Sequence, residues 1–171
     1  MRKKGISLIS LIITIIVMII LTSLVVFSSL ETIQDANLTK RRNEFTEVCT
    51  FVRNISTKAE ADMIDLELSG DTLATAAQIS DFFVHEVETD FSTEDASKID
   101  AINESIRTSG RNPKYGYHYI TGKQIENDTI PGIDVTSNFE DLQNNYIINF
   151  YYGVIISKIS DSEVNVSGAI R

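Results

Sequence analysis

Ile6 to Leu30 is a run of 25 residues without a charge, a glycine or a proline. Hydrocarbon is spanned by about 20 apolar residues, and a lone span must be helical because its backbone finds no water to bond. The run predicts one transmembrane helix over 6–30. Beyond it the pattern turns one-sided. Phe45, Val48, Val52, Ile55 and Ala59 are spaced 3, 4, 3 and 4, which places them on one helix face. Arg41, Arg42, Glu44 and Glu47 fall on other faces, with Arg41 and Glu44 as a weak i, i+3 pair. No glycine or proline occurs between Gly5 and Gly70. A continuous helix from Ile6 to about Lys58, on the order of 80 Å long, is predicted as a stiff rod.

The middle of the chain also reads as helical. Asp71 or Thr72 can open a helix to about Val87, with Leu73, Ala76, Ala77, Ile79, Phe82, Phe83 and Val87 as its apolar positions. Ser92 and Asp95 form a capping pair with aspartate in the usual glutamate position. Ile99, Ile102 and Ile106 form the stripe that follows, and Gly110 stops it as a C-cap. From Tyr115 the period becomes that of strands: Tyr115–Thr121, then Tyr146–Phe150, a turn at Tyr151-Tyr152-Gly153, Val154–Ser157, and a short Glu163–Val166. Residues 122–145 read as loop, with Pro131-Gly132 as a turn signal; surface loops of this kind commonly carry recognition.

Charge orients the anchor. Arg2, Lys3 and Lys4 precede the span, whereas Glu31 and Asp35 follow it. The positive-inside rule places the N-terminus in the cytoplasm and residues 31–171 outside. All 24 acidic residues but only 12 of the 15 basic ones lie after position 30, a net charge of −12 there. That balance argues against nucleic acid, whose affinity depends on Lys and Arg at phosphates. A cleaved secretory signal has an apolar core of about 7–15 residues, shorter than this run.

Lys4-Gly5-Ile6-Ser7-Leu8-Ile9-Ser10-Leu11 resembles the N-terminus of type IV prepilins and pseudopilins: a short basic leader, glycine, an apolar residue, Ser or Thr, Leu, a further apolar residue, then usually glutamate. Tyr146–Ser157 looks like the C-terminal hairpin of prepilin-like proteins of Gram-positive bacteria. The resemblance implies cleavage after Gly5 by a prepilin peptidase, with Lys3, Lys4, Gly5 and Ile6 as the processing site and Ile6 as a methylated new N-terminus. It also implies packing of the helix against other pilin-like subunits. The family's glutamate falls at residue 10, where this chain has Ser10. In the family that carboxylate is understood to be neutralised by a neighbouring subunit's amino terminus. A serine cannot neutralise an ammonium, which points to a minor subunit, a tip subunit or a non-assembling relative rather than an abundant major pilin. Ser7, Ser10, Thr14 and Thr22 lie roughly on one face of the span. Such a stripe permits close helix approach in lipid, or else each hydroxyl bonds back to its own preceding turn.

Little in the chain suggests reaction chemistry. Cys49 is the only cysteine, beside the rod's apolar face, and reads as a small buried residue. His85 and His118 lack metal-ligand spacing; His118 reads as a packed or surface strand residue. The acidic stretch Asp90–Asp95 lacks the pattern of a calcium loop. No nucleophile elbow, phosphate loop or dinucleotide fingerprint occurs, so neither an enzyme nor a cofactor is expected.

The expected fold is α+β and pilin-like. A leader at 1–5 precedes a transmembrane helix at 6–30 and an amphipathic stalk at 31–64. An extracytoplasmic head at 65–171 follows, made of a helical insertion and a small antiparallel sheet. The expected function is a minor pilin or pseudopilin of a surface filament, secretion or DNA-uptake apparatus. The alternative is a single-pass anchored binding module that does not polymerise.

Overall fold

The structure, a computed structural model, describes residues 8–82 and 91–170. The chain divides into two compact units, Met1–Thr39 and Lys40–Arg171. It is α+β, with a long apolar N-terminal helix and a small C-terminal antiparallel sheet. Helix α1 runs from Leu8 to Glu60, uninterrupted by glycine or proline. It stops without a glycine: Asp62 takes the left-handed conformation (φ 52°). Asp62 N then donates to Ala59 O and Met63 N to Lys58 O, which is a Schellman closure with aspartate in glycine's usual place.

In the second unit four strands, β1 (His118–Thr121), β2 (Asn145–Asn149), β3 (Val154–Ser160) and β4 (Glu163–Ser167), pair antiparallel in chain order. The β2–β3 turn is held by Asn149 Oδ1, which accepts from Tyr152 N (2.9 Å), and by Gly153 at φ 64°. Alternate residues of the central strands face opposite cores. Tyr146, Ile148 and Ile155 cluster with Val48, Cys49, Val52 and Ile55 of α1. Ile147, Val154, Ile156 and Val164 cluster with Ile79 of α2 (Ala76–Asp81) and Ile99 of α3 (Thr93–Ser109). Burial on both faces accounts for the nearly continuous apolar runs of β2 and β3. Each fully buried isoleucine there contributes about 1.5–3 kcal/mol. The helical middle of the chain is thus the second cover of the sheet, a role its sequence did not disclose.

Three expectations are corrected. The middle helix opens at Ala76, behind a capping box of Thr75 and Gln78, and not at Asp71 or Thr72. Ser69 Oγ takes the Asp71 amide into a 3-10 turn over Gly70–Thr72. Leu73 and Ala74 are then drawn out of helix by pairing with His118 and Tyr117. The predicted continuation of this helix to Val87, with His85, lies outside the described residues. Strand β1 starts at His118, not Tyr115, because Tyr117 N donates to Asn103 Oδ1 (2.9 Å) and Pro113–Tyr115 form a 3-10 turn. The segment read as loop contains a one-turn helix, α4 (Gly122–Glu126), with its own capping box of Thr121 and Gln124.

Other local readings match. Ser92 and Asp95 make the predicted box, and Gly110 closes α3 at φ 66°. Pro131 and Gly132 form a turn. Gly132 has φ 80°, and a Cβ there would lie 2.1 Å from Glu67 O, so only glycine fits.

Candidate functional site

The apolar segment is built by the first turns of α1. From Leu8 to Leu30 its large apolar side chains are 47–72% exposed. The best 18-residue window has a mean hydropathy of 3.0 and no buried residue. A helix that is apolar all round and exposed all round requires an apolar surrounding. By length and composition it is the one helix among the described residues able to cross a membrane.

Thr14 Oγ1 donates to Ser10 O (2.8 Å) and Thr22 Oγ1 to Met18 O (2.7 Å). Ser23 and Ser29 bond Ile19 O and Val25 O in the same way, both at 2.8 Å. These hydroxyls are satisfied within the helix, as polar groups in hydrocarbon must be. On an ideal helix Ser10, Thr14 and Thr22 fall within an arc of about 120°, leaving a strip of small side chains along α1. Lys3, Lys4, Gly5, Ile6 and Ser7 lie outside the described residues.

Two polar centres in the second unit escaped the sequence reading. Glu44, expected on a solvent-facing side and paired to Arg41, is buried (5% exposed). Its Oε1 accepts from Gln143 N (2.8 Å), Asn144 N (2.7 Å) and the Tyr146 hydroxyl (3.0 Å). Arg41 points elsewhere, with Nη1 on Ile159 O (2.5 Å), while its carbonyl accepts from Asn144 Nδ2 (3.1 Å). The signal was present: Glu44 lies one residue before Phe45 and four before Val48, at the edge of the buried stripe. Burial, with the Glu44 charge second, raises the Tyr146 pKa far above its ordinary range, so the phenol stays a donor.

His118 is the other. It is fully buried, with Nε2 on Pro113 O (3.0 Å) and Nδ1 on Thr72 Oγ1 (2.6 Å). A carbonyl can only accept, so Nε2 carries a proton, while the single Thr72 hydroxyl hydrogen lies between Nδ1 and Ser69 O (2.8 Å). Burial lowers the pKa from 6.5 to about 4, outweighing the Pro113 hydrogen bond that raises it. The folded imidazole is neutral, whereas in the unfolded chain it binds a proton below about pH 6.5. Stability is therefore full above that value and lost as pH falls toward 4. About 2 kcal/mol of stability should disappear between pH 7 and pH 5. Urea unfolding at the two values should show this loss in the wild type and a much smaller one in His118→Gln.

Cys49 is buried as expected, and burial raises its thiol pKa against the opposing effects of Ser167 and Arg53. Among the described residues no three His, Cys, Asp or Glu side chains gather into a metal-binding group.

Compared with protein-family models, with curated proteins and with solved structures, the chain matches none. The class that fold and site define is an α+β domain in a chain carrying one membrane-competent apolar helix.

Proposed function

We propose that the chain is a pilin-like structural subunit, a minor pilin or pseudopilin. It is anchored by residues 6–30 with its N-terminus in the cytoplasm and serves a surface filament, a secretion system or a DNA-uptake apparatus. The observation that carries this reading is the double pattern of α1. Its first turns are apolar and exposed on every side, and its later turns bury Val48, Val52 and Ile55 against the sheet of the second unit. A simple anchor needs only the first pattern, joined to its domain by any linker. One helix that both spans lipid and forms part of the domain's core suits a subunit that assembles through that helix. The junction Lys3-Lys4-Gly5-Ile6 supports the reading through its resemblance to prepilins, and Ser10 in place of glutamate supports a minor position.

The test is the mass of the N-terminal peptide from membrane-extracted protein, with and without a prepilin peptidase. The expected chain begins at Ile6 only when the peptidase is active. Retention of Arg2–Gly5 with an active peptidase would sink the processing claim.

The second reading, a solitary anchored binding module, is favoured by Ser10 itself, which removes the carboxylate that neighbouring subunits would neutralise. Disulfide cross-linking of cysteines placed at Leu11, Ile15 or Leu21 in a Cys49→Ser background separates the two. Assembly yields cross-linked species that a solitary anchor does not form.

A further inference from the structure

A groove of about 660 Å³ opens beside α3, lined by Ile102, Ser105, Arg111, Asn112, Tyr115 and Tyr152, among others. Its volume falls in the roughly 300–1,000 Å³ range of small-molecule sites. Tyr115 and Tyr152 remain 38% and 42% exposed. Their rings stand 6.5 Å apart at 37°, and Tyr151 braces both edge-on, at 4.8 Å and 5.1 Å. Lys114 Nζ is held 5.4 Å from the Tyr115 ring and 5.6 Å from that of Tyr151. Rings braced in this way lose little freedom when a ligand stacks on them.

The charge is equally specific. The chain beyond the apolar run is strongly acidic, yet Arg111 lines this groove and Lys114 is held against its Tyr115 ring. Neither forms an ion pair with a carboxylate among the described residues. A purely apolar ligand would desolvate Arg111 without compensation. The groove is walled by a helix, a loop and a turn, so it offers no sheet edge to which a peptide strand could add. A sugar ring presents C–H faces that stack on tyrosine and hydroxyls that bond groups such as Asn112 and Ser105. An acidic substituent would meet the guanidinium as a bidentate partner.

We propose that this groove binds an oligosaccharide carrying carboxylate or phosphate groups. The site lies in the second unit and stands whether or not the chain assembles.

The test uses the full chain in detergent. The chain has six tyrosines and no tryptophan, so tyrosine emission reports on stacking directly. Trigalacturonate and phosphorylated maltotriose are titrated against neutral maltotriose and triglutamate. At least one acidic saccharide should bind saturably, at least ten-fold more tightly than either control, and more weakly in high salt. Tyr152→Ala and Arg111→Gln, both at exposed positions, should each weaken that binding ten-fold or more with unchanged melting temperature. Lys158→Gln, away from the groove, should leave it intact. Absence of saturable binding by both acidic saccharides overturns the proposal. So does equal binding of triglutamate, or insensitivity to both groove substitutions.

Discussion

Glu44→Ala is expected to lower the stability of the second unit by about 3–5 kcal/mol, the usual cost of removing one member of a buried charged hydrogen-bonded group. The truncation leaves the Gln143 and Asn144 amides and the Tyr146 hydroxyl without their shared acceptor. Water cannot replace it cheaply, because Asn144 and Tyr146 are themselves at most 1% exposed. Glu44→Gln keeps an oxygen at the same reach and should cost only about 1–2 kcal/mol, the charge-assisted part of three bonds. Urea unfolding of the full chain in detergent, followed by tyrosine emission, measures both. All six tyrosines lie between residues 115 and 152, so the signal reports this unit and not the apolar segment. A loss below about 1 kcal/mol for the alanine variant would contradict the account.

Asn103→Leu should cost at least about 2–3 kcal/mol, because leucine branches like asparagine but makes none of its bonds and is bulkier. Asn103 is fully buried on α3. Its Nδ2 donates to Ala74 O (3.0 Å) and Tyr117 O (2.8 Å), and its Oδ1 accepts from Tyr117 N (2.9 Å). One side chain therefore clamps two chain segments far apart in sequence. Both carbonyls keep other donors in the variant: Arg107 Nη2 on Ala74 O, and Ala74 N on Tyr117 O. The Tyr117 amide loses the Asn103 oxygen it donates to, and the loss of that buried bond contributes to the cost. Asn103→Asp separates packing from bonding. Its carboxylate would face two carbonyl oxygens, so it should be less stable than the leucine variant at pH 7 and recover toward it on acidification. Equal stability of asparagine and leucine at this position would remove the clamp from the account.

Both residues expose the limit of pattern reading. A polar residue on a helix is assigned to solvent by default, and the position of Glu44 at the edge of the buried stripe is a weak signal that says nothing of its partners. Those partners arrive only when residues 143–146, about a hundred positions away, bring donors to the inner side of α1. Asn103 lies one position from Ile102 and three from Ile106, inside an apolar stripe, and that placement was the available hint. The Thr121-x-x-Gln124 box was equally legible and reads as clearly as Ser92-x-x-Asp95. It lacks the hydrophobic run that ordinarily follows such a box.

By itself the sequence determined the features whose causes are local. The absence of charge and helix breakers over 6–30 decides an apolar helix, and the 3-4 spacing after Phe45 decides which face of it is buried. Turn chemistry at Tyr151-Tyr152-Gly153 and capping at Ser92 and Gly110 place element ends, because those bonds close within a few residues. Tertiary structure alone decided what covers the second face of the sheet, why Leu73 and Ala74 leave helix for pairing, and why β1 begins at His118. It also decided which polar side chains are buried. Those outcomes depend on partners distant in sequence, whose bonds form only once the chain has closed on itself, and no window of neighbouring residues contains them.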